Sequence, residues 1–516
     1  CRARRRAVVT LATADYAVDL NPSWGRRDRA PAPAADQFTA HGTAMNLGFE
    51  AQALAAILAV VVVLWVTEAL PLPVTALLGA VACVLAGVAP AAEVFRPFAD
   101  PLIFLFIGAF ILAEGIRVHG LDRRLAYGVL SLPWVDGRPR RILTAVAVVC
   151  ACITAFISNT CTTAMMFTIV MGMLAAIDEA ADATGQRPAP AFATGLLLCV
   201  AFASSVGGLA TPIGTPPNLI GLGFIRNQLG VDVSFLGWCA VGVPIVVVMI
   251  AATVILLGTL CPAGVTRLDG VADHVRAERA RLGPWTSGQR SAACAFAVTV
   301  GLWMGPGIIL VVLGPEHPVS RWLQARLPEG VAALIGAILL FVLPGDRRAT
   351  DGRWPRALGW QEARIDWGIV LLYGGGMALG TLAFTTGLAA EIGVAITGWL
   401  PTGPARATAL VAVGTLVAVL TSEFTSNTAS ANMVVPVVIA LGEASGGDAL
   451  PAALAATFAA SLGFMMPVST PCNALVYGSG RVPLKAMMAG GAVLDMAGTL
   501  IVTAAPPIAG RLWLAP

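Results

Sequence analysis

The chain has 516 residues, of which 57% are hydrophobic and only 12% are charged, with a net charge of +3. A soluble protein carries roughly 25% charged residues. With a mean hydropathy of +0.81, the composition excludes an ordinary soluble enzyme and leaves no basic surface for nucleic acid. Repeated apolar runs of about 20 residues make it a polytopic membrane protein.

Residues 1–45 begin at Cys1, are rich in Arg, Pro and Ala, and lack the apolar core of a signal peptide. They are expected to be disordered or a mis-called start. Apolar spans are then expected near 51–69, 72–89, 101–119, 191–226, 238–260, 292–313, 330–344, 367–387, 451–479 and 486–506. Two more runs, 142–176 and 405–441, are split by the same tripeptide: Ser158-Asn159-Thr160 and Ser426-Asn427-Thr428. Each run fits two half-helices better than two full spans and a turn. Both are expected to be re-entrant hairpins with the tripeptide at the tip. Irregular backbone at membrane depth is tolerated only where it is buried or lines a cavity. A second polar break follows each tripeptide, TPIGTPPN from Thr211 to Asn218 and PVSTPCN from Pro467 to Asn473.

These breaks belong to an internal repeat. The tripeptides lie 268 residues apart and the following asparagines, Asn218 and Asn473, lie 255 apart. DPLIFLFIG from Asp100 aligns with DWGIVLLYG from Asp366, and VTALLG from Val74 with VAALIG from Val331. Each half is expected to hold three spans, a hairpin, a broken span and a last span. That is five crossings, an odd number, so the second half is inverted relative to the first. Loops 120–141, 178–190, 261–291, 345–366 and 481–485 hold 18 Lys and Arg. By the positive-inside rule they are cytoplasmic. The basic N-terminus then falls outside, which a missing first helix would repair. Two polar breaks repeated at membrane depth point to one transport site built from two halves.

Half-helices ending at mid-membrane present N–H groups suited to an anion, or carbonyls suited to a cation. Ser, Thr and Asn side chains serve both. Pro212, Pro216 and Pro217, and Pro467 and Pro471, interrupt the helical ladder and free carbonyls for a hard cation. Thr154 and Ser422, one turn before each tripeptide, are either cation ligands or back-bonded to a preceding carbonyl. Glu68, Glu114, Glu423 and Asp495 are carboxylates in apolar runs, Glu423 and Asp495 being nearest the second half's breaks. No Lys or Arg adjoins either break in sequence. A charge at mid-bilayer costs roughly 2.5–3.5 kcal/mol, so a dianion costs on the order of 5–7. Compensation is therefore expected from co-bound cations and helix ends. The ten cysteines form no CxxC, and the four histidines sit in loops or at helix ends, so neither a disulfide framework nor a zinc centre is expected. HExxH and GxSxG are missing, which argues against an intramembrane enzyme.

The chain resembles the divalent anion/sodium symporters of the ion transporter superfamily from about residue 47 to 510. The resemblance rests on WVTEALPLPVTALL (Trp65–Leu78), FISNTCTTAMM (Phe156–Met166), TPIGTPPNLIG (Thr211–Gly221), EFTSNTASANM (Glu423–Met433) and MPVSTPCNALVYG (Met466–Gly478). It implies sodium-coupled uptake of dicarboxylates, citrate or sulfate by a homodimer in which a transport domain slides along a fixed scaffold as an elevator. By motif position, one Na⁺ would meet Thr154, Ser158, Asn159 and Gly214, and a second Ser422, Thr425, Asn427 and Ser469. The anion would meet Ser158, Asn159, Thr160, Thr215, Ser426, Asn427, Thr428, Thr470 and Pro471. The chain departs from the family in three places. Residues 1–45 do not look like the helix that usually precedes the Trp-x-x-Glu-Ala segment, Cys472 replaces a usual Pro, and Asp495 stands where a neutral polar residue is usual, which would alter ion preference.

The expected fold is therefore an all-α polytopic membrane protein of inverted repeats, each with a re-entrant hairpin and a broken helix. Residues 46–135 and 262–400 are expected to form the scaffold, and 136–261 and 401–516 the transport domain. The expected activity is Na⁺-coupled symport of a C4-dicarboxylate such as succinate, at the inner membrane, with lipid around it and no organic cofactor. The alternatives are a sulfate carrier or an exchanger of the same fold, and, from another class, a passive anion channel.

Overall fold

The computed structural model describes residues 48–512, apart from 186, 347–355, 399–400, 402 and 404. The expected disorder of residues 1–45 lies outside the described residues. Among the described residues the chain is helical, with one isolated bridge between Pro344 and Arg356. The first half runs α1 (Phe49–Thr67), α2 (Leu72–Leu85), the short α3 (Ala91–Val94), α4 (Pro101–Val118), α5 (Leu121–Leu130), α6 (Pro139–Thr154), α7 (Asn159–Thr184), α8 (Pro190–Gly207), α9 (Pro216–Phe224) and α10 (Phe235–Leu260). A polar helix, α11 (Val271–Arg281), leads to the second half. That half holds α12 (Ser287–Leu313), α13 (Pro318–Arg326), α14 (Glu329–Val342), α15 (Trp367–Thr385), α16 (Leu388–Thr397), α17 (Ala405–Phe424), α18 (Asn427–Ala444), α19 (Leu450–Ala459), α20 (Pro471–Tyr477) and α21 (Leu484–Leu512). Among the described residues, nine helices are long and apolar enough to cross a membrane. The protein is a multi-pass membrane protein.

Local chemistry repeats along with the sequence. Asp100 caps α4 by accepting from the Leu102 N–H at 2.8 Å, and Asp366 caps α15 by accepting from the Ile369 N–H at 3.2 Å. Each helix is followed by a left-handed glycine, Gly120 at φ 64° and Gly387 at φ 81°, which turns the chain into the short helix behind it.

Packing repeats as well. α4 packs on α14 and α15 packs on α2, so each half supplies one partner to the other's central pair. Both crossings are made by small residues. A Cβ at Gly108 would lie 2.5 Å from Ala333 Cβ, and one at Gly375 would lie 2.7 Å from Ala76 Cβ. Such close backbone approach is how helices associate where lipid supplies no hydrophobic drive. Within the halves, α6 packs on α8 as α17 does on α19, and α10 on α6 as α21 does on α17. Across the halves, α9 meets α18 and α20 meets α7. The two broken segments are thereby interleaved, and the breaks meet at one level.

One apolar run differs from expectation in length. α7 has 26 residues and continues past the expected limit at 176 to Thr184. Its extension is polar and mostly exposed, so the helix projects beyond the apolar layer instead of crossing it again. α14, with 14 residues, falls close to the expected run at 330–344 and meets α13 at a bend of 67°.

Candidate functional site

Four helices begin at the breaks, and the residue preceding each is a hydroxyl residue. Ser158 precedes α7, Thr215 precedes α9, Ser426 precedes α18 and Thr470 precedes α20. Ser426 accepts from the Ala429 N–H at 3.2 Å and Thr470 from the Asn473 N–H at 3.1 Å. α9 and α20 both start on proline, which lacks the N–H that a first turn leaves unpaired. All four positions line one cavity of about 610 Å³. The same cavity is lined by Asn159, Thr160, Gly214, Asn427, Thr428, Ser469 and Pro471. It therefore brings together all nine residues expected at the anion, from both halves. Four helix N-termini directed at one space suit an anion, since each adds the positive end of a helix dipole.

Each broken segment is held by an asparagine in the same way. Asn218 Nδ2 donates to Gly208 O and Thr211 O, both at 2.9 Å. Asn473 Nδ2 donates to Gly463 O at 3.1 Å and Met466 O at 3.0 Å. Donor and both acceptors are shifted by 255 residues between the halves. Both side chains are fully buried. Sequence reasoning used these asparagines only to mark the breaks. The structure shows that they bridge each break, tying up carbonyls that include those left free by Pro212 and Pro467. Each break is also fastened to the end of the helix that precedes its tripeptide. Thr211 Oγ1 donates to Ala155 O, and the Met465 and Met466 N–H groups donate to the Glu423 carboxylate at 2.8 and 3.1 Å.

The oxygens expected at Na⁺ gather where α6 and α17 end. Asn159 Oδ1 is buried with no donor among the described residues, and a Cβ at Gly208 would sit 2.7 Å from it. An acceptor without a donor, beside backbone too close for a side chain, fits a small hard cation. Thr154 does not line the cavity. It is fully buried beneath it, and its hydroxyl back-bonds to Cys150 O at 2.8 Å. In the second half, Ser422 Oγ lies 2.8 Å from both Asn427 Oδ1 and Ala460 O. Ser469 Oγ donates to Gly463 O and Met466 O at 2.8 Å. Thr425 is buried and back-bonded to Thr421 O. Each group thus joins one Ser-Asn-Thr segment to the neighbouring broken segment.

The remaining carboxylates separate. Glu68 is exposed at the end of α1 with φ 48°, and Glu114 pairs with Arg117. Glu423 holds the second break, as above. Asp495 is 5% exposed and faces Glu423. One inference from the sequence needs correcting. No Lys or Arg adjoins the breaks along the chain, yet folding brings Arg117 and Arg364 to the cavity wall. They come from the end of α4 and the segment before α15, remote in sequence from the tripeptides. Arg364 is exposed and forms no ion pair among the described residues.

The chain is 30% identical over 445 residues to the sodium-dependent dicarboxylate transporter SdcS of Staphylococcus aureus strain USA300, covering 85% of this chain and 82% of that protein. The same identity and coverage hold for SdcS of strain MSSA476. Among solved structures, the fold is similar to the YdaH transporter of Alcanivorax borkumensis (TM-score 0.53, 15% identity, 82% of this chain and 87% of that one). It is also similar to MtrF of Neisseria gonorrhoeae (TM-score 0.55, 12% identity, 89% and 95%). The curated relatives are named as transporters, a non-enzymatic class. Residues 43–513 match the model of the sodium:sulfate symporter transmembrane region, and with the paired breaks facing one cavity, the chain belongs to that family of divalent anion/sodium symporters.

Proposed function

We propose that this protein imports a small dianion, a C4-dicarboxylate such as succinate, together with Na⁺. The observation behind this reading is the convergence of four helix N-termini on one cavity beside buried, donor-free amide oxygens. Four helix ends at about 0.3–1 kcal/mol each supply roughly 1–4 kcal/mol. That falls short of the 5–7 kcal/mol or so that a dianion costs at membrane depth. Bound Na⁺ at the two oxygen clusters makes up the difference, so neither solute fills its site well alone. Arg364 and Arg117 at the mouth draw the anion in. The names of the relatives and the sodium dependence they state agree with this reading.

Alternating access follows if residues 136–261 and 401–516 move as a transport domain against a scaffold of 46–135 and 262–400. The hairpins α6–α7 and α17–α18 then enter from opposite faces with their tips at the cavity. α1, α2, α15 and α16 of the scaffold share a second apolar core, to which Ala429 and Ala440 of α18 add the transport domain's contact surface. The cavity reaches the end of α4 and the Arg364–Asp366 segment, which adjoin the Arg-rich loops. This conformation is therefore inward-facing. Sulfate is the second reading, favoured by the family's description, because hydroxyl and N–H donors suit both anions.

The test is thermal stabilisation of purified protein by succinate, citrate or sulfate, each with Na⁺ or choline. Stabilisation by succinate only with Na⁺ is expected, with Na⁺-driven uptake in proteoliposomes. Equal stabilisation in choline would overturn the coupling. Asn159→Ala and Asn427→Ala should each weaken Na⁺ and anion binding together.

A further inference from the structure

We propose that the protein alternates between two repeat-related ion pairs, Asp100–Arg226 and Asp366–Arg481, each formed only while its own side of the transporter is closed. The structure shows the first. Arg226 donates to both Asp100 carboxylate oxygens at 2.6 Å, and Asn227 adds a bond at 3.4 Å. The Asp100 side chain is 9% exposed and that of Arg226 25%. A two-oxygen pair this sheltered is among the stronger surface interactions. It joins the start of α4 to the segment behind the first broken helix, two parts that move past one another in the proposed cycle.

The second pair is present in the sequence but unmade in this conformation. Asp366 is the repeat equivalent of Asp100: both cap the helix that opens the aligned segment. Arg481 is the repeat equivalent of Arg226: each lies eight residues after its asparagine, Asn218 or Asn473. Here Asp366 lines the cavity and forms no ion pair among the described residues. Arg481 instead meets Asp178 at 3.3 Å, with both side chains well exposed. Asp366 thus lines the cavity and Asp100 does not, while Arg481 is held apart from Asp366 by Asp178. If the halves of an inverted repeat exchange conformations between states, the arrangement around Asp100 passes to Asp366 when the cavity opens the other way. Arg481 then leaves Asp178 for Asp366, and Arg226 releases Asp100.

The inference rests on the alternating-access reading, but its test needs neither sodium nor substrate. The full chain in nanodiscs would carry Asp100→Cys with Arg226→Cys, Asp366→Cys with Arg481→Cys, or all four, each against its single-cysteine controls. Both pairs should form disulfides under oxidation, and never in the same molecule. Failure of the Asp366/Arg481 pair to cross-link while the Asp100/Arg226 pair does, or both bonds in one molecule, would overturn the proposal. As a milder variant, Asp100→Asn should lower labelling of the cavity residue Cys161 by a cytoplasmic, membrane-impermeant thiol reagent. Asp366→Asn should raise it, each by roughly five- to tenfold in the ratio of states. Unchanged labelling in both variants refutes the proposal. Sodium-dependent stabilisation, measured separately, shows whether the transport reading has failed as well.

Discussion

Replacing Asn473 by alanine tests whether the asparagines hold the broken segments in a binding-competent form. The side chain is fully buried, and its amide nitrogen donates to Gly463 O, Met466 O and Ser469 Oγ. Each such bond is worth about 0.5–1.5 kcal/mol net. Ser469 Oγ still reaches both carbonyls after the change, so the loss falls short of the full penalty for orphaned acceptors. The expected destabilisation is about 2–4 kcal/mol. Asn218→Ala removes two bonds from carbonyls that have no other side-chain donor, and should cost a similar amount. Both changes also release the backbone beside the cation oxygens. The Na⁺ concentration giving half-maximal stabilisation should therefore rise about tenfold, equivalent to 1.4 kcal/mol. Equilibrium unfolding in mixed micelles gives the first quantity and a sodium titration of the melting temperature the second. An Asn473→Ala protein within about 0.5 kcal/mol of the parent, with the same sodium midpoint, would refute the reasoning.

Two further changes probe the same region. Gly207→Ala places a methyl 2.6 Å from Ala151 O and closer still to Thr154 Oγ1, where the backbone cannot yield. It should cost about 1–3 kcal/mol by overpacking and separate α8 from α6, and a normal melting temperature would contradict that packing. Asp495→Asn replaces the carboxyl facing Glu423 by an amide that carries no charge at any pH, which removes the cost of two like charges in one buried site and should stabilise the protein by about 1–3 kcal/mol under conditions where both carboxyls would ionise. A loss of stability on unfolding would show that the Asp495 carboxylate is itself required.

Much of this protein was legible in the chain. The membrane class follows from composition, because a lipid-facing surface cannot hold many charges. The repeat followed from matched motifs, and the helix breaks from proline and polar residues in apolar runs, since these signals are local. The nine anion-site candidates came from those motifs and lie on one cavity wall. The depth of the candidates was not legible: Thr154, Ser422 and Thr425 lie beneath the cavity, not in it.

The sequence by itself determined where helices must stop, that this happens twice, and which residues stand at the stops. It did not determine which helix ends meet. Only the tertiary structure decided that four N-termini face one space, because that depends on how α7, α9, α18 and α20 interleave across the halves. It also decided that Asn218 and Asn473 fasten the breaks, that Arg364 reaches the cavity, and that Asp100 pairs with Arg226 while Asp366 stands open. Each is a contact between residues remote along the chain or set by the bend of a break. Apolar periodicity and turn chemistry act over a few neighbours, and do not specify such contacts.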